Sequence, residues 1–157
     1  MNCRGEGHPP MFHQLLDGGI VSLINFGIHA SITGLIVVTT RRIAGRTDDL
    51  HVFLRVAALM LVTATVLTIA HVAEISMWAG FYKWLGIETE KAGAFEFAFE
   101  NYTALGYGDA VPNEGYRLVG PITALNGLLL IGWSVAIIFE VLKMADVHIG
   151  RRSKAAR

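Results

Sequence analysis

Seven consecutive residues in the second half of the chain have types and spacing that suit cation binding through backbone oxygens. They are Thr103, Ala104, Leu105, Gly106, Tyr107, Gly108 and Asp109. Glycine adopts positive φ at little steric cost, so the two glycines that flank the tyrosine let alternate residues aim their carbonyl oxygens to one side. Four such strands around one axis would form stacked rings of oxygens that replace the hydration shell of a cation.

A short apolar segment, Ala92–Thr103, leads into these seven residues. It has twelve residues, interrupted by Glu96, Glu100 and Asn101, and a helix of that length is too short to cross a bilayer. We therefore predict a re-entrant or buried helix, whose C-terminal end carries a partial negative charge that favours a cation. The irregular strand after it must be buried in protein or line a wet cavity, because lipid cannot satisfy its backbone polar groups.

Three longer apolar runs are predicted to span the membrane. Gly18–Thr40 and Leu118–Phe139 have 23 and 22 residues without a charge, and Val56–Ala73 has 18; about 20 apolar residues cross ~30 Å of hydrocarbon. Only 17% of the 157 residues are charged and 53% are apolar, whereas soluble domains carry about 25% charged residues. The predicted fold is an all-α membrane protein with three transmembrane helices and one re-entrant helix.

Charge and cysteine content exclude several other classes of protein. The formal net charge is zero, so the chain lacks the basic surface expected of a nucleic-acid-binding protein. The single cysteine, Cys3, excludes an intrachain disulfide and a metal site built from cysteines. We predict neither a cofactor nor an enzymatic activity.

The distribution of charge predicts the orientation in the membrane. The loop between the first two runs and the tail after the third hold nine of the 13 basic residues and four acidic ones, whereas the other side has four basic and nine acidic residues. By the positive-inside rule, the amino terminus lies outside and the tail is cytoplasmic. The aromatic residues at the outer end of the second run are predicted to form an interfacial belt: Trp78, Phe81, Tyr82 and Trp84.

With the short helix and the glycine-rich strand between two spans, the chain resembles the potassium channels, in particular bacterial members with this arrangement. Their filter reads Thr-Thr-Val-Gly-Tyr-Gly-Asp; the matching residues here are Thr103, Gly106, Tyr107, Gly108 and Asp109. The resemblance covers roughly Val56–Leu142 and leaves Met1–Thr40 as an added helix. It implies a homotetramer in the cell membrane that conducts K⁺ through backbone carbonyl oxygens, those of Ala104, Leu105, Gly106 and Tyr107.

The resemblance also assigns roles to residues around the filter. Leu105 replaces the usual valine, and Ala104 replaces a threonine whose hydroxyl serves the innermost ion site, so that site is expected to be weaker here. Glu100 matches a carboxylate behind the filter that contacts the aspartate corresponding to Asp109, and neighbouring carboxylates resist double ionisation. Gly127 matches the hinge glycine of the inner helix; close helix packing is the alternative role for it.

Two histidines within the spans allow a different interpretation. His29 and His71 could be ligands of a b-type haem or mark a quinone site, as in a small membrane redox subunit. Counted along the apolar runs, however, His29 lies ~17 Å from the outer start of its span and His71 ~23 Å from the inner start of its own. This places them at different depths and disfavours shared ligation. His71 can instead pair with Glu74, three residues later.

Polar residues of the first span share one helical face and predict packing against another helix: Ser22, Asn25, His29 and Thr33.

The predicted domains are residues 1–50 with the first span and a basic loop, residues 51–145 as the pore domain, and residues 146–157 as a basic tail. The predicted function is passive, potassium-selective conduction. A weakly selective cation channel is the alternative within the same class, and the haem or quinone subunit is the alternative from another class.

Overall fold

The computed structural model describes residues 11–44, 52–87, 93–106 and 116–155, and these contain four helices and no strand. In chain order they are α1 (Met11–Ala44), α2 (Val52–Trp84), α3 (Ala94–Tyr102) and α4 (Val119–Ala155). The predicted all-α class is confirmed. The short apolar segment is a helix of nine residues, which is less than half the length needed to span a bilayer.

The first two long helices each include one predicted span, α4 includes the third except for its first residue, Leu118, and all three helices extend beyond these spans. The segments apolar enough to cross a membrane are Met11–Arg42, Phe53–Trp84 and Val119–Ala145. Helix α1 has 34 residues and is therefore ~51 Å long at 1.5 Å per residue. A helix of this length tilts or projects beyond ~30 Å of hydrocarbon. The protein is a multi-pass membrane protein.

Large apolar side chains are exposed along all three long helices. Leu23 and Leu35 of α1, Leu61 of α2 and Leu125 of α4 are each more than 60% exposed in the single chain. Helices that are apolar on every side are typical of membrane spans, because lipid or further helices cover the outward faces. These leucines are therefore available for contact with the bilayer or with other copies of the chain.

The described residues form two compact units. The first contains residues 11–26, 73–87, 93–106 and 116–129. Its core is aromatic: Trp78 and Tyr82 of α2 are fully buried, and the Tyr82 ring lies 5.3 Å from the ring of Phe97 in α3. The predicted aromatic belt is thus wrong for Trp78 and Tyr82, because both side chains are buried against protein. Trp84 is 74% exposed, as a belt residue would be.

The second unit contains residues 27–44, 52–72 and 130–155. Ile36, Leu67 and Val141, one from each long helix, are buried at its centre, and partly buried aliphatic side chains and methionines surround them. This unit has the composition of an ordinary helical core. Here α4 continues past the predicted third span, and its backbone remains helical to Ala155.

Candidate functional site

The candidate site begins where α3 ends. The amide of Ala104 donates to the carbonyl of Asn101 at 3.0 Å, and the amide of Leu105 donates to the carbonyl of Glu100 at 3.0 Å. This pair of bonds is the Schellman motif, which requires a left-handed residue just after the helix. Ala104 is that residue, with φ of 55°. An alanine there is less favourable than a glycine because its Cβ crowds the backbone.

Helix α2 also ends in a Schellman motif, and there the left-handed residue is a glycine. The amide of Gly86 donates to the carbonyl of Lys83 at 3.1 Å, and that of Ile87 donates to the carbonyl of Tyr82 at 2.9 Å. Gly86 has φ of 67° and carries no Cβ, so the left-handed conformation costs little. The left-handed residue is therefore an alanine at the end of α3 and a glycine at the end of α2. Only the alanine, at the candidate site, is strained.

Two of the described residues in the glycine-rich strand have positive φ. They are Ala104 at 55° and Gly106 at 53°, on either side of Leu105. Gly106 thus has the positive φ that its residue type allows, and Ala104 has it as well; an alternation that includes Gly108 stays a prediction. Ala104, Leu105 and Gly106 are all exposed in the single chain. Tyr107, Gly108 and Asp109 lie outside the described residues, so their roles stay predictions.

Thr103 and Glu100 lie at the end of α3 and partly face solvent. The Thr103 hydroxyl is 2.9 Å from the carbonyl of Phe99 and 3.3 Å from that of Glu100, so it donates back to its own helix. Because Asp109 is outside the described residues, the predicted contact between Glu100 and Asp109 stays a prediction. The ion-binding roles of Thr103, Ala104, Leu105 and Gly106 likewise stay predictions.

Tyr102, the last residue of α3, has a partner that the sequence did not indicate. Its hydroxyl donates to Oε2 of Glu74 in α2 at 2.5 Å, a length typical of a hydroxyl bonded to a carboxylate. Glu74 is 0% exposed and Tyr102 is 1% exposed. A carboxylate within a span must be satisfied by a partner, and this requirement could have directed a search for a phenol on a neighbouring element.

Gly127 of α4 lies against the same tyrosine. A Cβ added at Gly127 would be 2.0 Å from the carbonyl oxygen of Tyr102, far inside van der Waals contact. The absence of a side chain at position 127 therefore allows α4 to approach the end of α3. This observation gives Gly127 a packing role, which was the alternative to the hinge; the hinge itself stays a prediction.

Asn126, the residue before Gly127, joins the long helices within the first unit. Its Oδ1 accepts hydrogen bonds from Nε1 of Trp78 at 3.0 Å and from Nδ2 of Asn25 at 3.1 Å, and all three side chains are buried. Nearby, the Tyr82 hydroxyl lies 2.6 Å from Oγ1 of Thr123. Because Thr123 donates its own proton to the carbonyl of Val119, the tyrosine is the donor in this bond.

Two residues of the polar face predicted on α1 pack against another helix, as expected. Asn25 bonds Asn126, and His29 lies 3.3 Å from the hydroxyl of Ser134 through its Nε2. The Thr33 hydroxyl instead donates to the carbonyl of His29 within α1. The matching polar positions of α4, Asn126 and Ser134, were not singled out from the sequence, although both interrupt an otherwise apolar run.

His29 and His71 lie together within the second unit, and the prediction of different depths is wrong. Their ring centroids are 5.3 Å apart, and Nε2 of His71 lies 2.9 Å from the same Ser134 hydroxyl. The depth estimate failed because it counted from the ends of the apolar runs. Counted from the helix ends at Met11 and Trp84, both histidines lie near the middle of their helices.

The geometry of the two imidazoles does not fit a haem. Axial ligands approach an iron from opposite faces of a flat macrocycle. Here both Nε2 atoms converge on one serine hydroxyl, and the rings are too close for a porphyrin to lie between them. The ring centroid of Trp133 lies 5.6 Å from that of His29. The two histidines and Ser134 thus form a hydrogen-bonded polar cluster within the second unit.

Comparison with known protein families identifies the larger part of the chain. A family model described as an ion channel matches residues 56–144, more than half of the chain. The matched segment contains all of α3 and the glycine-rich strand, together with most of α2 and the first part of α4. No curated protein and no solved structure matches the chain.

Proposed function

Because the chain belongs to the ion-channel family whose model it matches, we propose that it is a passive, potassium-selective channel. Four copies surround one pore, and K⁺ passes through rings of backbone carbonyl oxygens. The residues that supply them are Ala104, Leu105, Gly106 and Tyr107. The protein needs no cofactor and catalyses no reaction; K⁺ is the permeating ion, and the remaining partners are the bilayer and further copies of the chain.

The single observation that carries this proposal is the backbone at the end of α3. A helix of nine residues stops inside the family segment, and Ala104 and Gly106 then both adopt positive φ. One chain supplies one strand, whereas a cation stripped of water needs oxygens on several sides. Ala104, Leu105 and Gly106 are exposed in the single chain, and irregular backbone at membrane depth must be covered by protein or line a cavity. A ring of four satisfies both requirements.

Support for the orientation comes from charge. Arg41 and Arg42 in the last turn of α1 belong to the basic loop between the first two spans. Under the positive-inside rule, this loop and the carboxyl-terminal tail are cytoplasmic and the amino terminus is outside.

The proposal is tested with purified protein in liposomes. The reversal potential under opposed K⁺ and Na⁺ gradients should follow the K⁺ equilibrium potential. Gly106→Ala is the matched variant, because a Cβ is strained at φ of 53°; it should reduce the K⁺ current or its selectivity. Equal permeability to both ions would favour the weakly selective cation channel, and absence of any current would contradict a channel.

Assembly is tested separately by native mass spectrometry in mild detergent. Four copies are expected. A monomer or dimer that still conducts ions after reconstitution would contradict the fourfold pore. A Soret band in the purified protein would restore the haem alternative.

A further inference from the structure

The end of α3 is held from two sides at one residue. The side chain of Tyr102 bonds Glu74 of α2 at 2.5 Å. The carbonyl oxygen of Tyr102 lies in the space that position 127 of α4 leaves open. All these groups belong to the first compact unit. Tyr102 thus connects the last turn of α3 to α2 and to α4 at the point where the glycine-rich strand begins.

A change at Tyr102 would be passed on to the first residues of the glycine-rich strand. Thr103 and Ala104 follow Tyr102 directly, and the bonds that close the helix run from Ala104 and Leu105 back to Asn101 and Glu100. A rotation at Tyr102 would therefore displace the first carbonyl groups of the strand. Carbonyl rings select ions only when their oxygens are held in place, so a restraint at Tyr102 acts on the ion sites.

We infer that Glu74 is a positioning residue for the filter: its carboxylate fixes Tyr102, and through Tyr102 it holds the strand in the conductive arrangement. The inference rests on the proposed channel function and assigns a further residue to it. Glu74 lies in α2, nearly thirty positions before the filter in sequence, and it does not itself touch the permeating ion.

Energetic arguments support a strong restraint. The hydrogen bond between the two side chains is shielded from water, since both are at most 1% exposed, and a buried polar group that lost its partner would bear the cost of burial without a hydrogen bond. In a medium of low dielectric constant such a bond is electrostatically stronger than in water. The loss of the tyrosine hydroxyl therefore releases the end of α3 more than the loss of a solvated bond would.

The chain offers a matched control for this bond. Tyr82 is also fully buried, and its hydroxyl makes a similarly short bond, 2.6 Å, to Thr123. Tyr82→Phe and Tyr102→Phe each remove one hydroxyl from the first unit. The Tyr82 bond joins α2 to α4, whereas the Tyr102 bond joins α2 to the last residue of α3, so the Tyr102 variant has the more direct effect on the strand.

The experiment compares single-channel currents of wild type, Tyr102→Phe, Glu74→Gln, the double variant and Tyr82→Phe. Native mass spectrometry and thermal melting establish which variants keep the wild-type assembly. We expect mean open times to fall about fivefold or more in Tyr102→Phe, and less in Glu74→Gln, because the glutamine oxygen can still accept the hydrogen bond. The double variant should be no worse than Tyr102→Phe, since the effect of Glu74 on the strand passes through Tyr102. Tyr82→Phe should change open times less than Tyr102→Phe does.

Failure of the inference and failure of the channel proposal are distinguishable. Wild-type K⁺ currents with unchanged open times in Tyr102→Phe would overturn the positioning role alone. Equal losses in Tyr82→Phe and Tyr102→Phe would overturn it as well, because they would show a general effect of lost packing bonds. If Tyr102→Phe does not assemble, Glu74→Gln replaces it, and wild-type open times there count against the inference. A wild-type protein that passes no current would overturn both proposals.

Discussion

The carbonyl oxygen of Tyr102 lies in the space that a side chain at Gly127 would need. A Cβ at position 127 would be 2.0 Å from this oxygen and 2.8 Å from the carbonyl carbon. Both atoms belong to the backbone, so neither can move aside as a flexible side chain would. α4 therefore approaches α3 this closely only because residue 127 is glycine.

Gly127→Ala is expected to destabilise the protein. The added methyl group must push α4 away from α3, and overpacking of this kind costs about 1–3 kcal/mol. Thermal melting of the purified protein measures the loss. Gly132→Ala is the control on the same helix, because a Cβ there meets nothing within 4 Å. If Gly127→Ala melts like wild type and changes only the open probability, a hinge describes this glycine better than packing does.

Ala104 can be used to separate backbone strain from ion binding. Ala104→Gly should stabilise the end of α3 by about 1 kcal/mol, because it removes the Cβ at φ of 55°. Ala104→Ser adds a hydroxyl, and barium block from the cytoplasmic side should strengthen in this variant relative to Ala104→Gly. Threonine is the residue expected here from the resemblance to potassium channels, but its branched Cβ is poorly tolerated at positive φ. Equal barium affinity in the serine and glycine variants would mean that backbone oxygens alone form the inner site.

Glu100 is predicted to support the filter through Asp109. Glu100→Ala should change mean open times and shift their dependence on external pH, because it removes one carboxyl group of the predicted pair with Asp109. Single-channel recordings at external pH 5 and pH 8 measure both effects. Glu96→Ala is the control, since Glu96 is exposed on the same helix. Identical open times for wild type and Glu100→Ala at both pH values would assign Glu100 a structural role only.

Asn126 of α4 is predicted to stabilise the contact between α1 and α4. Asn126→Ala removes the acceptor used by Trp78 and Asn25, and each buried donor that loses its partner costs about 1–3 kcal/mol. The thermal midpoint should fall. Thr65→Ala is the control, because Thr65 is exposed and its hydroxyl bonds a carbonyl of its own helix. A midpoint equal to that of wild type would show that the contact between α1 and α4 does not depend on this network.

Much of the architecture follows from the sequence because it depends on local properties of the chain. Lengths of apolar sequence predict the three spans and exclude α3 from crossing the bilayer. The positive φ of Gly106 was expected because glycine has no Cβ. The positive φ of Ala104 was not expected, since it arises from the hydrogen bonds that end α3. The aromatic belt failed at Trp78 and Tyr82 because composition does not show which side of a helix meets protein.

The pairs that surround the candidate site were decided by tertiary structure. Tyr102 with Glu74, the imidazoles of His29 and His71, and the close contact at Gly127 each join residues from different helices. The sequence alone placed polar residues within the spans and required that they find partners. It could not select those partners, because a helix that is apolar on every side gives no signal for how it is rotated or shifted along its neighbours. Packing of the helices sets that rotation and shift, and with them the residues that meet.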